Sequence, residues 1–302
     1  MMKILNLGSL NIDKVYSVGH FVSAGETISS ANMEVFSGGK GLNQSIALAR
    51  AGAEVYHAGA IGPDGEDLRA LLEDSGVHAG YLQTLQTPTG HAVIQLTPGG
   101  QNCIIISAGA NFELTESYID GVLAHFAPGD LLLVQNETNN VAYAMRRAKE
   151  KGLKIAFNAS PISDALLSYP LELVDYYLIN EVEGKALSGG AEGDNEVILA
   201  GLKARFPQAA IVLTVGKDGV LYQYMDERAC HGIYDVPVAD TTAAGDTFCG
   251  YFLACVGKGL PAAEGLRMAS LASSLAVSKK GAANSIPAWD EVEAFGRTAK
   301  SL

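Results

Sequence analysis

The chain has 302 residues, 48% of them hydrophobic, and a formal net charge of −12. That length allows one large α/β domain or two ordinary ones, and the apolar share excludes a chain disordered by composition. The acidic balance excludes a general nucleic-acid or anionic-membrane binder and leaves room only for a local basic pocket.

In chain order, "MMKILNLGSLNID" carries one Lys and a short apolar run before turning polar, which predicts a first strand and not a signal peptide. Further strands are predicted at "EVYHAGAIG", "DLLLVQ", "LKIAFNA", "VDYYLIN" and "AIVLTVG". Between them, "GLNQSIALARAG", "EDLRALLEDSG", "NVAYAMRRAKEKG" and "EVILAGLKARF" show helical spacing of apolar residues. Alternation of this kind predicts an α/β fold with three layers: a mostly parallel central sheet with helices on both faces. Residues about 12–36 and 89–106 break the pattern, being β-prone without intervening helices. They are expected to form a small antiparallel sheet beside the main one, acting as a lid, an oligomer surface or an edge extension. The four cysteines, Cys103, Cys230, Cys249 and Cys255, form no C-x-x-C pair and no zinc spacing, so free thiols in a reducing cytoplasm are expected. No apolar run approaches the roughly 20 residues that span a bilayer.

Ligands of open α/β sheets sit at the carboxyl ends of the strands. The polar residues there are Asn11 and Asp13, Gln135 to Glu137, Asn158, Asn180 to Glu183, and Thr214 to Gly219. Asn11, Asp13 and Glu137 read singly as loop residues, and together as a hydrogen-bonding set for a polyhydroxylated ligand. In "FSGGKGLNQS" three glycines surround Lys40 ahead of a helix, with Asn43 close to the helix start. The segment reads equally as a glycine-rich turn with an exposed Lys or as a close backbone approach to a ligand. It is not a P-loop, and no G-x-G-x-x-G follows the first strand, which argues against a dinucleotide fold. "INEVEGKAL" puts Asn180 at a strand end and Glu183 in a first helical turn, where the dipole alone favours it. "LTVGKDGV" reads as a hairpin, with Thr214 and backbone amides as possible phosphate contacts.

"DTTAAGDTFCG" (240–250) precedes an apolar helical run, placing Ala243, Ala244, Gly245 and Asp246 at a helix start. One reading is a cap made by Asp246 or Thr242. The other is an anion cradle of unpartnered amides with Asp246 as a base beside it.

"GSLNID", "GGKGLNQ", "NEVE" and "DTTAAGDTF", in this order and together covering essentially the whole chain to "KKGAANSIP", resemble the ribokinase-like (phosphofructokinase B type) carbohydrate kinases. The resemblance implies a single domain over residues 1–302 with a discontinuous lid that often also makes a dimer. It implies a cytoplasmic, ATP-dependent sugar kinase using Mg²⁺ and K⁺, with D-ribose to ribose 5-phosphate as the leading expectation. Another furanose, a keto-sugar acid or a nucleoside remains open as acceptor, as does a non-catalytic sugar or nucleotide sensor. By position, Asp246 would be the base, and Ala243, Ala244 and Gly245 the anion hole. Asn11, Asp13, Gly39, Lys40, Asn43 and Glu137 would bind the sugar. Asn180, Thr214, Gly216 and Gly219 would hold nucleotide phosphates, with Glu183 placing Mg²⁺ through water. Asp240, Thr242, Ala276, Lys279, Gly281 and Ser285 would form the monovalent-cation loop. Two positions depart from the pattern: Cys249 stands where many relatives carry Asn, and Ser270 where some carry a larger side chain.

Overall fold

A strand covered on both faces needs an apolar side chain at every position, and "LLLV" at 131–134 supplies one with all four residues buried. The computed structural model describes residues 2–190 and 193–300; the other residues of the 1–302 span lie outside it. The chain runs β1 (Lys3–Leu7), β2 (Asn11–Ser17), β3 (Asn32–Gly38), α1 (Lys40–Arg50), β4 (Glu54–Ile61), α2 (Glu66–Asp74), β5 (His78–Thr84), β6 (Gly90–Leu96) and β7 (Asn102–Ser107). It continues through α3 (Glu116–Leu123), β8 (Leu131–Gln135), α4 (Val141–Glu150), β9 (Lys154–Asn158), β10 (Tyr176–Asn180), α5 (Glu181–Leu187) and α6 (Asn195–Arg205). It ends with β11 (Ala210–Thr214), β12 (Val220–Tyr224), β13 (Glu227–His231), α7 (Ala244–Gly257), α8 (Ala262–Val277) and α9 (Trp289–Gly296).

Nine strands form the main sheet in the order β13-β12-β11-β10-β9-β8-β1-β4-β5. The pairs from β11 to β5 are parallel, and β12 and β13 extend the sheet as an antiparallel hairpin. Successive side chains of a strand point to opposite faces, so the sheet divides two cores. Ile4, Leu131, Leu133 and Val212 pack with α1, α2, α7 and α8. Their neighbours Leu5, Leu132, Val134 and Ile211 pack with α3, α4, α5 and α6. Full burial of one such aliphatic chain is worth about 1.5–3 kcal/mol. Among the described residues no helix is long and apolar enough to cross a membrane.

The two segments that break the alternation pair as a second sheet of four strands, β3-β2-β6-β7. Its outer pairings are antiparallel, and the central β2–β6 pairing is parallel, with Asn11 opposite Gly90. The parallel pairing joins halves that are distant in sequence, which local pattern cannot reveal. Within the first segment only its two ends are strand; residues 18–31 are irregular apart from short turns.

The order of the main sheet reverses at β1. The chain leaves β1 toward β4 and β5, then returns to place β8 on the other side, with Leu7 opposite Val134. A crevice opens at the carboxyl ends of strands at such a reversal. Here it lies between the segment after Leu7 and that after Gln135, where the second sheet also departs from β1.

Candidate active site

The glycines of "GGKG" let helix α1 start hard against the turn after β1. A Cβ on Gly41 would lie 2.4 Å from Ser9 N and 2.6 Å from Gly8 Cα, so only glycine allows this approach. Ser9 O accepts from Leu42 N at 2.9 Å, fixing the helix start to the turn. Glu137, following β8, reaches the same point. Its Oε2 accepts from the Ser9 hydroxyl and from Lys40 N, the latter at 3.0 Å. The Lys40 ammonium lies 4.0 Å from Asp246 Oδ1. Lys40 therefore stands between two carboxylates, joining Glu137 by its backbone and Asp246 by its charge.

Asp246 is buried in the first turn of α7, and neither it nor Thr242 caps the helix. The cap position is Ala243, in the left-handed region at φ 60°, with no side-chain hydrogen bond to the helix amides. The capping alternative is thereby removed. A left-handed alanine costs roughly 1–3 kcal/mol, and no side chain caps the amides of Gly245 and Asp246 that follow it. The Ser273 hydroxyl on α8 donates to Ala244 O at 3.0 Å and steadies the turn. The Asp246 carboxylate accepts instead from α1: Asn43 Nδ2 donates to Oδ2 at 3.0 Å and Gln44 Nε2 to Oδ1 at 2.9 Å.

Asn11 and Asp13 are not loop residues. They lie on β2, the first strand of the four-stranded sheet. Asn11 is anchored by Asn111, whose Nδ2 donates to Asn11 Oδ1 at 2.8 Å. Burial, then the nearby Glu137 charge, raises the Asp13 carboxyl from 3.8 to about 6. Burial likewise raises Glu137, against the opposing hydrogen bond from Ser9 and the charge of Lys40. The Asp246 charge raises Lys40 and keeps it cationic. Glu137 and Asp246 beside Lys40, with Asp13 near Glu137, make a site suited to accepting hydrogen bonds from hydroxyl groups. Cys249 is buried one turn along α7. Burial, then the Asp246 charge, pushes its thiol well up, so it stays protonated and packs as a small apolar group.

On the other side of Ala244 and Gly245 lies a cleft of about 640 Å³. Asn180, Thr214, Gly216 and Gly219, the residues expected to hold nucleotide phosphates, all line it, together with Ser270. The two glycines differ in what they do. A Cβ on Gly219 would meet His231 O at 2.1 Å, so that glycine serves the β12–β13 hairpin. A Cβ on Gly216 would meet nothing nearer than Glu181 Oε2 at 4.0 Å, and its φ of +55° is the left-handed conformation that glycine adopts freely. Glu183 does not point freely into the cleft. It closes a capping box with Asn180, accepting from Asn180 N at 2.9 Å and Asn180 Nδ2 at 3.1 Å. The apolar walls, Val236, Val238, Phe248 and Val277, were not predicted. Isolated valines in a loop carry no periodic signal.

Of the predicted cation loop, Asp240 is the organising residue. Its Oδ1 accepts from Thr242 N and Oγ1 at 2.9 and 2.7 Å, and its Oδ2 from Gly281 N at 3.0 Å. Ala239 N and Asp240 N both donate to Val277 O, so the segment before Ala243 is strapped to the end of α8 beside Ala276. Burial opposes ionisation of Asp240, but the hydrogen bonds from Thr242 and Gly281 outweigh it and hold the carboxyl low. The buried Ser285 hydroxyl donates to Ala282 O at 2.8 Å, and the Lys279 ammonium pairs with Glu291 at the surface. Among the described residues no group of three or more His, Cys, Asp or Glu side chains is placed to hold a metal ion. The single carboxylate of this segment, already bonded to Thr242 and Gly281, makes no multi-carboxylate cage for a divalent cation.

Fold and site together define a phosphotransferase of the sugar-kinase class: a switch-point crevice with an acidic, acceptor-rich side, an uncapped helix start and a nucleotide-sized cleft. Residues 1–289 match the pfkB family carbohydrate kinases, and the chain belongs to that family. Its relatives include a ribokinase of Haemophilus influenzae, 34% identical over 299 residues, covering 96% of each chain. Among solved structures, the ribokinase of Cryptococcus neoformans in complex with ADP is 32% identical with a TM-score of 0.86, covering 97% of this chain and 99% of the other. The Arabidopsis thaliana ribokinase complexed with ribose and ATP is 27% identical with a TM-score of 0.85, covering 98% and 99%.

Proposed function

We propose that this protein transfers the γ-phosphoryl group of ATP to the primary hydroxyl of D-ribose, giving ribose 5-phosphate and ADP. The observation that carries the reading is the placement of Asp246, a carboxylate held by two amides beside the open amides of its own helix start. The sugar lies under the lid against Asn11, Asp13, Gly39, Lys40, Asn43 and Glu137. Asp246 accepts the proton of the attacking hydroxyl as its oxygen bonds to phosphorus, and the bond from phosphorus to the β,γ-bridging oxygen breaks to release ADP. Of the expected anion hole at Ala243, Ala244 and Gly245, the Ala244 amide already donates to Thr241 O at 3.3 Å, so the Gly245 and Asp246 amides at the positive end of α7 meet the charge on the transferring group.

Asn180, Thr214, Gly216 and Gly219 face the nucleotide phosphates. Mg²⁺ fits here only through the phosphates and water, because the Glu183 oxygens are already engaged by Asn180. When bound, it neutralises phosphate charge. K⁺ fits the oxygen set around Asp240, Thr242, Ala276, Lys279, Gly281 and Ser285. Asp240 holds the turn at Ala243 in shape by its bonds to Thr242 and Gly281. The exposed Met33 and Val35 on β3 and Ile104, Ile105 and Ile106 on β7 support pairing of two lids in a homodimer. A cytoplasmic location belongs to the same reading.

The test is a sugar panel with ATP and Mg²⁺, reading ADP release with and without K⁺. D-ribose is expected to give the highest kcat/KM. A preference for deoxyribose, a keto-sugar acid or a nucleoside replaces the acceptor. Sugar binding without ADP release from any acceptor replaces the enzyme by a sensor.

A further inference from the structure

Gln44 has no place among the sugar, nucleotide or ion contacts above. It is fully buried on α1, one residue past Asn43. Its carboxamide has three partners. Nε2 donates to Asp246 Oδ1 at 2.9 Å and to Asn158 Oδ1 at 3.0 Å, and Oε1 accepts from Gln135 Nε2 at 2.7 Å. Each partner is itself oriented by a further group. Asn158 Nδ2 donates to the backbone carbonyl of Leu178 at 2.7 Å, which turns its Oδ1 toward Gln44. Gln135 Nε2 also donates to Asn6 Oδ1 at 2.9 Å, and Asn6 Nδ2 donates to the backbone carbonyl of Gly41 at 2.8 Å and to Ser45 Oγ at 2.8 Å.

A free carboxamide can turn over and exchange its donor and acceptor ends. This one cannot without loss. Turning Gln44 would set its oxygen against the oxygens of Asp246 and Asn158 and its NH₂ against that of Gln135. Turning Gln135 would set its oxygen against those of Asn6 and Gln44. Gln135 Oε1 is in fact left buried without a partner, as is Asn43 Oδ1. An unpaired buried polar atom costs roughly 1–3 kcal/mol, so the network keeps its polarity at a cost in stability. Its two ends are backbone carbonyls on β10 and α1, and Gln44 within it also donates to the carboxylate expected to act as base.

We propose that Gln44 is a positioning residue for Asp246, with its donor end locked toward that carboxylate by the Gln135–Asn6 pair on one side and Asn158 on the other. The proposal rests on the kinase reading for its kinetic consequence and not for its geometry. Asn43, which lies where the sugar is expected, holds Oδ2; Gln44, away from both ligands, holds Oδ1. The carboxylate plane is thereby fixed whether or not sugar is bound.

Gln44→Met keeps the side-chain length and removes both hydrogen-bonding ends. Its kcat is expected to fall about 10²-fold, the scale of a reacting group displaced by about 1 Å, while KM for sugar and ATP stays within about threefold. Gln135→Leu is expected to lower kcat in the same direction, and the double variant to be no slower than Gln44→Met alone, as for residues acting through one chain. Gln44→Asn, an amide one methylene too short, gives the second variant should Met at this position impair folding. In a crystal structure of either Gln44 variant the Asp246 carboxylate should be rotated from its place. A kcat within about threefold of the parent, a loss carried by the sugar KM, or an unmoved Asp246 overturns the proposal. If the parent turns over no sugar, the proposed function fails, and the position of Asp246 in the variant structure decides the role of Gln44 alone.

Discussion

Gly38 and Asp13 occupy one space: a Cβ on Gly38 would lie 2.1 Å from Asp13 Oδ2 and 2.6 Å from its Cγ. The two residues belong to paired strands of the four-stranded sheet, and the Asp13 carboxylate lies across the bare backbone of Gly38. Gly38→Ala must therefore move a carboxylate assigned to the sugar, without touching Asp246. The expected result is a rise of about tenfold or more in the sugar KM, about 1.4 kcal/mol, with kcat much less affected. Steady-state kinetics on the variant, with thermal melting to confirm folding, checks it; an unchanged KM takes Asp13 out of the sugar site.

The Asp13 carboxyl, raised to about 6 in the folded protein from an ordinary 3.8, makes stability depend on pH. Between these values the folded state holds a proton that the unfolded chain has released. Stability from this group therefore falls as pH rises through the window and is level above it. Asp13→Asn removes the buried charge. Without sugar, the variant should be more stable than the parent at pH 8, by about 1–3 kcal/mol, with the gap closing by pH 4. Its sugar binding should be much weaker. In the parent, hydroxyl donors favour the ionised carboxylate, so sugar affinity should improve as pH rises through about 6. Melting curves at the two pH values and calorimetric sugar titrations measure both effects. Equal stability of parent and variant at pH 8 contradicts the buried-charge argument.

The parallel sheet was legible because its strands announce themselves. "LLLV" and "AIVL" are apolar at every position, and the helices between them carry a clear helical period. The pairing of β2 with β6 was not, since it depends on two strands separated by two helices and three strands, and on a register no local pattern sets. The same contrast holds within the site. Asp246, Lys40 and Glu137 stand out as charges beside glycines or at strand ends. Gln44 and Gln135 look like ordinary polar residues flanking apolar runs, and their meaning comes from contacts with residues 202 and 91 positions away. Gly38 reads as one more glycine until Asp13 is seen folded over it. The resemblance to a family names the residues expected to meet ligands, but not the side chains that hold them.

Asp246→Asn keeps the shape of the side chain and separates binding from chemistry. Asn43 and Gln44 each donate to one oxygen of the carboxylate, and an asparagine offers an acceptor to only one of them. The cost in stability should be modest, about 1–3 kcal/mol for the donor left facing an NH₂ group. Loss of the base should lower kcat by about 10²–10⁴-fold, with sugar affinity within about tenfold of the parent. Single-turnover kinetics and calorimetry on one preparation give both numbers. Near-normal kcat removes Asp246 from the role of base.

The remaining prediction concerns the strap between Asp240 and the end of α8. Thr242 and Gly281 both donate to Asp240, and the chain reaches the left-handed Ala243 one residue past Thr242. A cation seated among these oxygens would set the shape of the turn whose amides face the transferring phosphoryl group. Replacing K⁺ by tetramethylammonium should therefore lower kcat several-fold and leave the sugar KM little changed. Asp240→Asn retains the oxygen that accepts from Thr242 but drops the charge, so the turn should persist while the K⁺ concentration for half-activation rises. Asp240→Ala loses the Thr242 and Gly281 bonds as well, and should stay slow at any K⁺ concentration, because no cation restores them. Activity titrated with KCl at constant ionic strength separates the three proteins. Equal rates in K⁺ and tetramethylammonium for the parent would assign Asp240 to the turn alone.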